Sequence, residues 1–283
     1  MNDLNYFVKD TSLRLYADDT TAYTSDASPL VLEYLINSDL EIVSNWFQQN
    51  YLRVNVSKTQ AMAVGPSLYR YYFHLDNTTV ETTDSLKILG VTLDSKLSFK
   101  PHISEQLKRA SAKAYALRRV RKFIPQTIMI RLYKAYILPH LEYCSPLLLG
   151  ITDGLNNKLE DTNYYILRTI LGLSKSTEYS HLLNIAHLQS LQSRRQFQAL
   201  VLLYRCMNGQ GPSYLSERFN VLNVNYDLRG GGTRLKLPPF NLEYQHKSFS
   251  YICARLWNGI PVKVREARDL PSFKRALRAN MGQ

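Results

Sequence analysis

The chain has 283 residues, a mass of 32.7 kDa, 45% hydrophobic residues and a formal net charge of +12, enough apolar material for one large or two ordinary cores. The charge is divided: residues 1–99 hold 7 basic and 12 acidic side chains and residues 100–283 hold 28 and 11, so the first part suits a cation and the second a polyanion such as nucleic acid or an acidic membrane face. Cys144, Cys206 and Cys253 are too scattered for a disulfide framework or zinc knuckle and read as reduced, buried thiols of an intracellular protein, while the lack of a long apolar run or a basic-then-apolar start predicts neither anchor nor export.

Residues 13–23 read as a strand, a tight turn and a returning strand. Leu13, Leu15 and Ala17 alternate with Arg14, Tyr16 and Asp18, the period of a half-buried strand, and Thr20, Thr21 and Tyr23 resume β-favouring chemistry. Asp18 and Asp19 therefore fall at the tip. Adjacent like charges repel, so this pair either holds a cation, for which oxygen-seeking Mg²⁺ is the natural candidate, or is solvated turn chemistry. Asp10, in the loop before the first strand, reads as a capping or solvated residue.

Ser28-Pro29 opens a helix with an N-cap residue and a proline at the first helical position. Leu32, Ile36, Leu40, Val43 and Phe47 then form one apolar face running to about Asn50, which should back the hairpin. Trp46 and Phe47 lie on or beside that stripe and are assigned to the core. Short strands are expected at 54–56 and 59–64, with Lys58 beside the turn between them. An aromatic-rich strand pair over 69–81 turns near Asp76-Asn77. Another strand is expected over 86–93, where Gly90 marks a bulge or the close approach of another chain.

From Pro101 the period becomes helical. Ile103, Leu107, Ala110, Ala114, Leu117 and Ile124 make an apolar stripe, and Lys108, Arg109, Lys113, Arg118, Arg119, Arg121 and Lys122 crowd the other faces. Between Lys100 and Lys134 there are 10 basic residues and 1 acidic residue, Glu105; ordinary solvated helices mix both signs, so this one favours phosphate contact. Residues 125–150 read as a mostly buried helix kinked or broken at Pro139, with Tyr133, Tyr136 and Tyr143 in the core and His140 packed and hydrogen-bonded. Two more helices are expected over 155–171 and 181–207, the second carrying Arg194-Arg195. Gly230-Gly231-Gly232 reads as a loop, Trp257 as a core anchor, and Lys274, Arg275 and Arg278 as a cationic terminal helix.

Four blocks occur in order: Tyr16-Ala17-Asp18-Asp19, Asn45-Trp46-Phe47-Gln48-Gln49-Asn50-Tyr51-Leu52, Asn55-Val56-Ser57-Lys58-Thr59 and Lys87-Ile88-Leu89-Gly90-Val91-Thr92-Leu93-Asp94. Their order resembles the non-LTR (LINE-type, jockey-like) retrotransposon reverse transcriptases, and Asn2-Asp3-Leu4 matches the segment that follows the template-binding helix in that family. The resemblance implies an α+β fold: a partial palm over 1–99, thumb-like helices over 100–150 and a helical C-terminal region over 151–283. It implies RNA-directed DNA polymerase (nucleotidyltransferase) activity with two Mg²⁺ ions, an RNA template, a DNA primer and deoxynucleoside triphosphates. Asp18 would be the shared metal ligand, Asp19 its support and Lys58 the proton donor to the departing pyrophosphate. Tyr16 and the primer grip at Leu89-Gly90 would meet nucleic acid near the metal site. Lys108, Lys113, Arg118, Arg119, Arg121 and Lys122 would follow the duplex backbone.

The family's upstream strand with its own catalytic Asp, its Pro-Gln-Gly block and its fingers have no counterpart here. The catalytic set is therefore expected to be incomplete, the missing N-terminal palm and fingers to be a partner, and the chain alone to be inactive. Its place would be the nucleus or a cytoplasmic ribonucleoprotein. Two other readings fit the same residues: a non-catalytic nucleic-acid-binding remnant of a retroelement, and a translated relic with no selected role.

Overall fold

The computed structural model describes residues 3–65, 69–222, 234–239 and 243–282; the Gly230-Gly231-Gly232 connector lies outside them. The chain divides into two compact units, Met1–Pro101 and His102–Gln283. The first mixes small antiparallel strand pairs with helix and the second is mostly helical, so the fold is α+β.

In the first unit three hairpins each close on a two-residue loop. β1 (Ser12–Tyr16) pairs with β2 (Asp19–Tyr23) around Ala17-Asp18, β3 (Tyr72–Leu75) with β4 (Thr78–Glu81) around Asp76-Asn77, and β5 (Ser85–Ile88) with β6 (Val91–Asp94) around Leu89-Gly90. The turn at Asp76-Asn77 lies where the sequence places it. The span 86–93 is corrected from one strand to a hairpin: Leu89 at φ 47° and Gly90 at φ 82° are both left-handed, as the tight turn that matches strand twist demands. Gly90 is thus a turn residue, not a bulge within a strand. Among the described residues the strands pair only in twos, in place of a single sheet across residues 1–99.

Strands at 54–56 and 59–64 are also corrected. Val56–Lys58 is a 3₁₀ turn, and residue 61 forms a lone bridge with Thr82. The Asn55 backbone carbonyl accepts the N–H groups of Lys58 (3.0 Å) and Thr59 (3.2 Å), and the Ser57 hydroxyl supports the turn by donating to the Asn55 side chain at 2.7 Å.

The helix α1 (Pro29–Gln49) begins after Ser28 in extended geometry, with proline at its first position. Its apolar side joins β1, since Val43 and Trp46 cluster with Leu13 and Leu4 and are flanked by Val8 and Phe47. Its polar side seals the open edge of β3: Glu33 accepts the Tyr72 N–H at 3.1 Å, and Asn37 accepts from the His74 N–H at 2.7 Å and donates to the Tyr72 carbonyl at 3.0 Å. An edge strand so covered no longer offers a template for another chain.

The second unit opens with α2 (Lys100–Val120) and continues through a 3₁₀ turn at Arg121–Phe123 to α3 (Gln126–Leu132). A π-helical segment, Tyr133–Ile137, then leads into α4 (Leu138–Leu141) and a 3₁₀ segment, Ser145–Gly150. This is the form the interruption at Pro139 takes. Proline has no N–H to give, and just before it the turn widens so that the Leu138 N–H reaches the Tyr133 carbonyl. Tyr133 is fully buried, but Tyr136 is 57% exposed and Tyr143 41% exposed, so two of the three tyrosines assigned to the core belong to the surface. The Tyr136 ring lies beneath the Lys113 ammonium, and Tyr143 lies past the end of α4 beside a left-handed Cys144.

Next come α5 (Asp153–Leu171), α6 (Tyr179–Ala186) and α7 (Leu191–Met207). The single helix expected over 181–207 is corrected to two, because His187 at φ 50° ends α6 and Ser190 caps α7 by accepting the Ser193 N–H at 3.2 Å. Short α8 (Ser213–Ser216) and α9 (Glu243–His246) precede α10 (Phe249–Gly259), α11 (Val262–Arg265) and α12 (Leu270–Asn280). Trp257, Phe273 and Tyr204 form the aromatic centre of the core, with Tyr204 stacked on Phe273 at 4.3 Å and Leu200, Leu203 and Leu277 around them. No helix among the described residues is long and apolar enough to cross a membrane.

Candidate nucleic-acid interface

The Asp18-Asp19 hairpin is held at its base by Asp39, a residue of α1 only 2% exposed. The Asp39 carboxylate accepts the consecutive N–H groups of Lys9 (3.0 Å), Asp10 (2.9 Å) and Thr11 (2.6 Å) and the Thr11 hydroxyl (2.8 Å). Burial pushes this carboxyl up, but the hydrogen bonds outweigh it and hold it below its ordinary value. Across the strand pair, the Thr24 hydroxyl donates to the Asp10 carbonyl at 3.0 Å. Asp10 is thus engaged through its backbone, while its side chain is exposed. Asp39 escaped the sequence reading because a lone Asp on an amphipathic helix looks like ordinary surface.

At the tip, Ala17 adopts φ 54° and reverses the chain, leaving Asp18 in the loop and Asp19 as the first residue of β2, paired with Tyr16. All three are exposed, and neither carboxylate has a hydrogen bond or ion pair among the described residues. Mg²⁺ binds through one or two carboxylates with waters and substrate phosphates completing its shell, so this pair fits one ion shared with a phosphate. Among the described residues no group of three or more His, Cys, Asp or Glu could hold a metal, and the donors for a two-ion site are not assembled here.

Lys58 ends the 3₁₀ turn and is exposed, and among the described residues no hydrogen bond or ion pair joins it to Asp18 or Asp19. Leu89 and Gly90 form the β5–β6 tip. Just beyond, Asp94 organises the approach to α2: its carboxylate accepts the N–H groups of Lys96 (3.2 Å), Ser98 (3.1 Å) and Phe99 (2.8 Å) and the Ser98 hydroxyl (3.1 Å). Leu97 and Phe99 adopt φ 49° and 57° within that loop. The Asp-Ser-x-x-Ser spacing was the available signal for this turn.

On α2 the buried side is His102, Ile103, Gln106, Leu107, Ala110 and Ala114. Lys108, Lys113, Arg118, Arg119 and, past the helix end, Lys122 are exposed. Aromatic rings are interleaved with them: the Arg119 guanidinium lies 4.8 Å from the Tyr115 ring centroid and Lys113 lies 6.0 Å from that of Tyr136. Glu105 pairs with Arg109 at 2.5 Å. Arg121 differs from its neighbours, being half-buried and donating Nη1 to the Thr169 carbonyl at 2.9 Å, where it satisfies the end of α5. Arrayed cations with few acidic partners suit phosphodiester contact, which positions a nucleic acid without reading its sequence.

Arg194 and Arg195 belong instead to a buried polar network. Arg194 grips Glu142 with two hydrogen bonds, and Arg195 donates to Asn156. Beside them Tyr133 donates to Asn163 (2.6 Å), Asn163 to Tyr179 (2.7 Å), and Tyr179 to Glu160 (2.7 Å), which also accepts the first two N–H groups of α7 (Leu191, 3.2 Å; Gln192, 2.8 Å). Burial, reinforced by nearby Glu142 for Tyr133 and by Glu160 for Tyr179, raises both phenols well above their ordinary value. His140 is half-buried, 3.3 Å from the Gln106 side-chain oxygen. Sequence could have flagged Asn163, since it occupies an apolar-stripe position between Leu159 and Ile166.

Comparison of the chain with models of known protein families, with curated proteins and with solved structures finds no match.

Proposed function

We propose that this chain is the palm-end and thumb part of an RNA-directed DNA polymerase of the non-LTR retrotransposon type, and that by itself it binds a primed RNA template without copying it. The observation that carries this is the hairpin tip that presents Asp18 with Asp19 beside it, within the first of four motif blocks in family order. Asp18, supported by Asp19, would hold one Mg²⁺ together with a phosphate oxygen of the substrate, and that ion would supply charge neutralisation at the triphosphate. Lys58 protonates the departing pyrophosphate, and Leu89-Gly90 bears on the primer end. The cations of α2 follow the backbone of the RNA–DNA hybrid. Catalysis on deoxynucleoside triphosphates needs a third carboxylate and fingers from a further polypeptide segment.

A second reading, a non-catalytic nucleic-acid-binding protein of retroelement origin, is favoured by one observation: the exposed cations of α2, Lys108, Lys113, Arg118 and Arg119, suit phosphate contact with no metal. Joining the chain to the upstream palm and fingers of a non-LTR reverse transcriptase separates the two. Mg²⁺-dependent, RNA-templated extension that disappears in Asp18→Asn supports the polymerase. Binding of primed template without extension supports the second reading, and extension indifferent to Asp18→Asn overturns the role given to the hairpin.

A further inference from the structure

The C-terminal ends of α2 and α5 meet around an open cleft of about 550 Å³, lined by four cations, Arg118, Arg121, Arg168 and Lys175, with Tyr165 at its side and no acidic residue. Gly172 shapes it. This glycine ends α5 at φ 73°, and a Cβ there would come within 2.9 Å of the Arg121 guanidinium carbon; its absence lets Arg121 reach the Thr169 carbonyl at 2.9 Å. The Arg168 guanidinium stands 5.5 Å from the Tyr165 ring centroid, and Tyr165 is 52% exposed.

A helix C-terminus attracts positive charge, which accounts for some cations here. Arg121 already serves the end of α5. Arg168 is used as a ring partner, and Arg118 and Lys175 have no ion pair among the described residues. Three like charges beyond the one that caps the helix repel one another around a cleft of ligand size, and an anion would relieve that repulsion. Beside them is an aromatic face with solvent access. A double helix meets such a cleft only through its phosphates, whereas an unpaired nucleotide also lays its base against a ring.

We infer that the cleft takes an unpaired nucleotide of a single strand, its phosphate between Arg118, Arg168 and Lys175 and its base against Tyr165. The inference rests on the nucleic-acid reading and deepens it, adding a single-strand site to a duplex-tracking helix and giving α5 a role in binding.

The test is fluorescence anisotropy on the full chain with a labelled oligouridylate and with a blunt RNA–DNA hybrid of equal length. Tyr165→Ala should weaken oligouridylate binding by roughly fivefold to a hundredfold, leave its salt slope unchanged and leave hybrid binding unaffected; Tyr165→Phe should bind as the parent does. Arg118→Gln with Lys175→Gln should flatten the single-strand salt slope by about 1.4, two phosphate contacts at roughly 0.7 each. Circular dichroism melting checks each variant, and Arg121 is left intact because it caps α5. A folded Tyr165→Ala variant that matches the parent on oligouridylate, or that loses hybrid binding equally, overturns the cleft. Tripolyphosphate bound more tightly than oligouridylate also overturns it, by assigning the cleft to a free polyphosphate. A parent that binds neither nucleic acid removes the proposed function as well, whereas a parent that binds the hybrid while its cleft variants are unaltered on the single strand removes the cleft alone.

Discussion

Asp39 holds Thr11 twice, accepting its backbone N–H at 2.6 Å and its hydroxyl at 2.8 Å. With the N–H groups of Lys9 and Asp10 on the same carboxylate, the segment entering β1 is fixed to the middle of α1. The Asp18-Asp19 hairpin is thereby tied at its base to α1.

Asp39→Ala should destabilise the first unit by about 1.5–3 kcal/mol, because it removes part-buried hydrogen bonds from Lys9, Asp10 and Thr11 to a charged acceptor. Asp39→Asn should cost less, since the amide keeps one acceptor oxygen. The folded carboxyl lies below its ordinary value, so its stabilisation is full above about pH 4 and is lost as pH falls through the folded value. Urea unfolding followed by Trp46 fluorescence in a Trp257→Phe background, at neutral and acid pH, reads this out. A variant with the parent's midpoint and acid dependence would show that the carboxylate contributes nothing.

Tyr133 and Tyr179 should keep their protons to a higher pH in the folded chain than in the unfolded one. Both are raised in the folded state, so the unfolded chain releases these protons first; the stabilisation is complete below about pH 10 and is lost as pH rises through the folded values. Phenolate absorbance should therefore gain a further step when the chain unfolds at high pH, as these two groups release their protons. Tyr133→Phe should shrink that unfolding step by one phenol and cost about 1–2 kcal/mol, because the Asn163 side-chain oxygen loses its buried donor.

Patterns that repeat were legible in the sequence, and single polar anchors were not. The helix α1, the turn at Asp76-Asn77 and the cationic faces of α2 follow from periodicity and turn chemistry, and each is present, although of the expected α1 stripe only Val43 is buried, beside Asp39, Ser44 and Trp46. The β5–β6 turn was hidden because Leu89, at φ 47°, is an unusual residue for a left-handed position and prolongs an apolar run. Tyr136 was assigned inward by its apolar ring, yet it partners Lys113 at the surface. Asp39, Asp94 and Glu160 each gather backbone N–H groups from a separate segment or loop, which spacing alone does not reveal.

In a chain completed with the upstream palm and fingers, Lys58→Ala should slow nucleotide addition by roughly 10²–10⁴-fold with primer binding retained, as removal of a general acid does. Asp18→Asn should abolish nearly all addition, because a neutral amide does not replace an anionic metal ligand. Single-turnover kinetics on a primed RNA template distinguishes them. Wild-type rates for Lys58→Ala would return that residue to the solvated surface.

The most direct measurement is the salt dependence with which the full chain binds an RNA–DNA hybrid, for the parent and for a variant with Lys113, Arg118, Arg119 and Lys122 all changed to Gln. The parent should bind different sequences alike and weaken steeply with salt. The variant, shown to be folded by circular dichroism, should lose affinity and have its slope flattened by about two to four phosphate contacts at roughly 0.7–0.9 each. A folded variant whose affinity and slope match the parent would take α2 out of the interface and contradict the account.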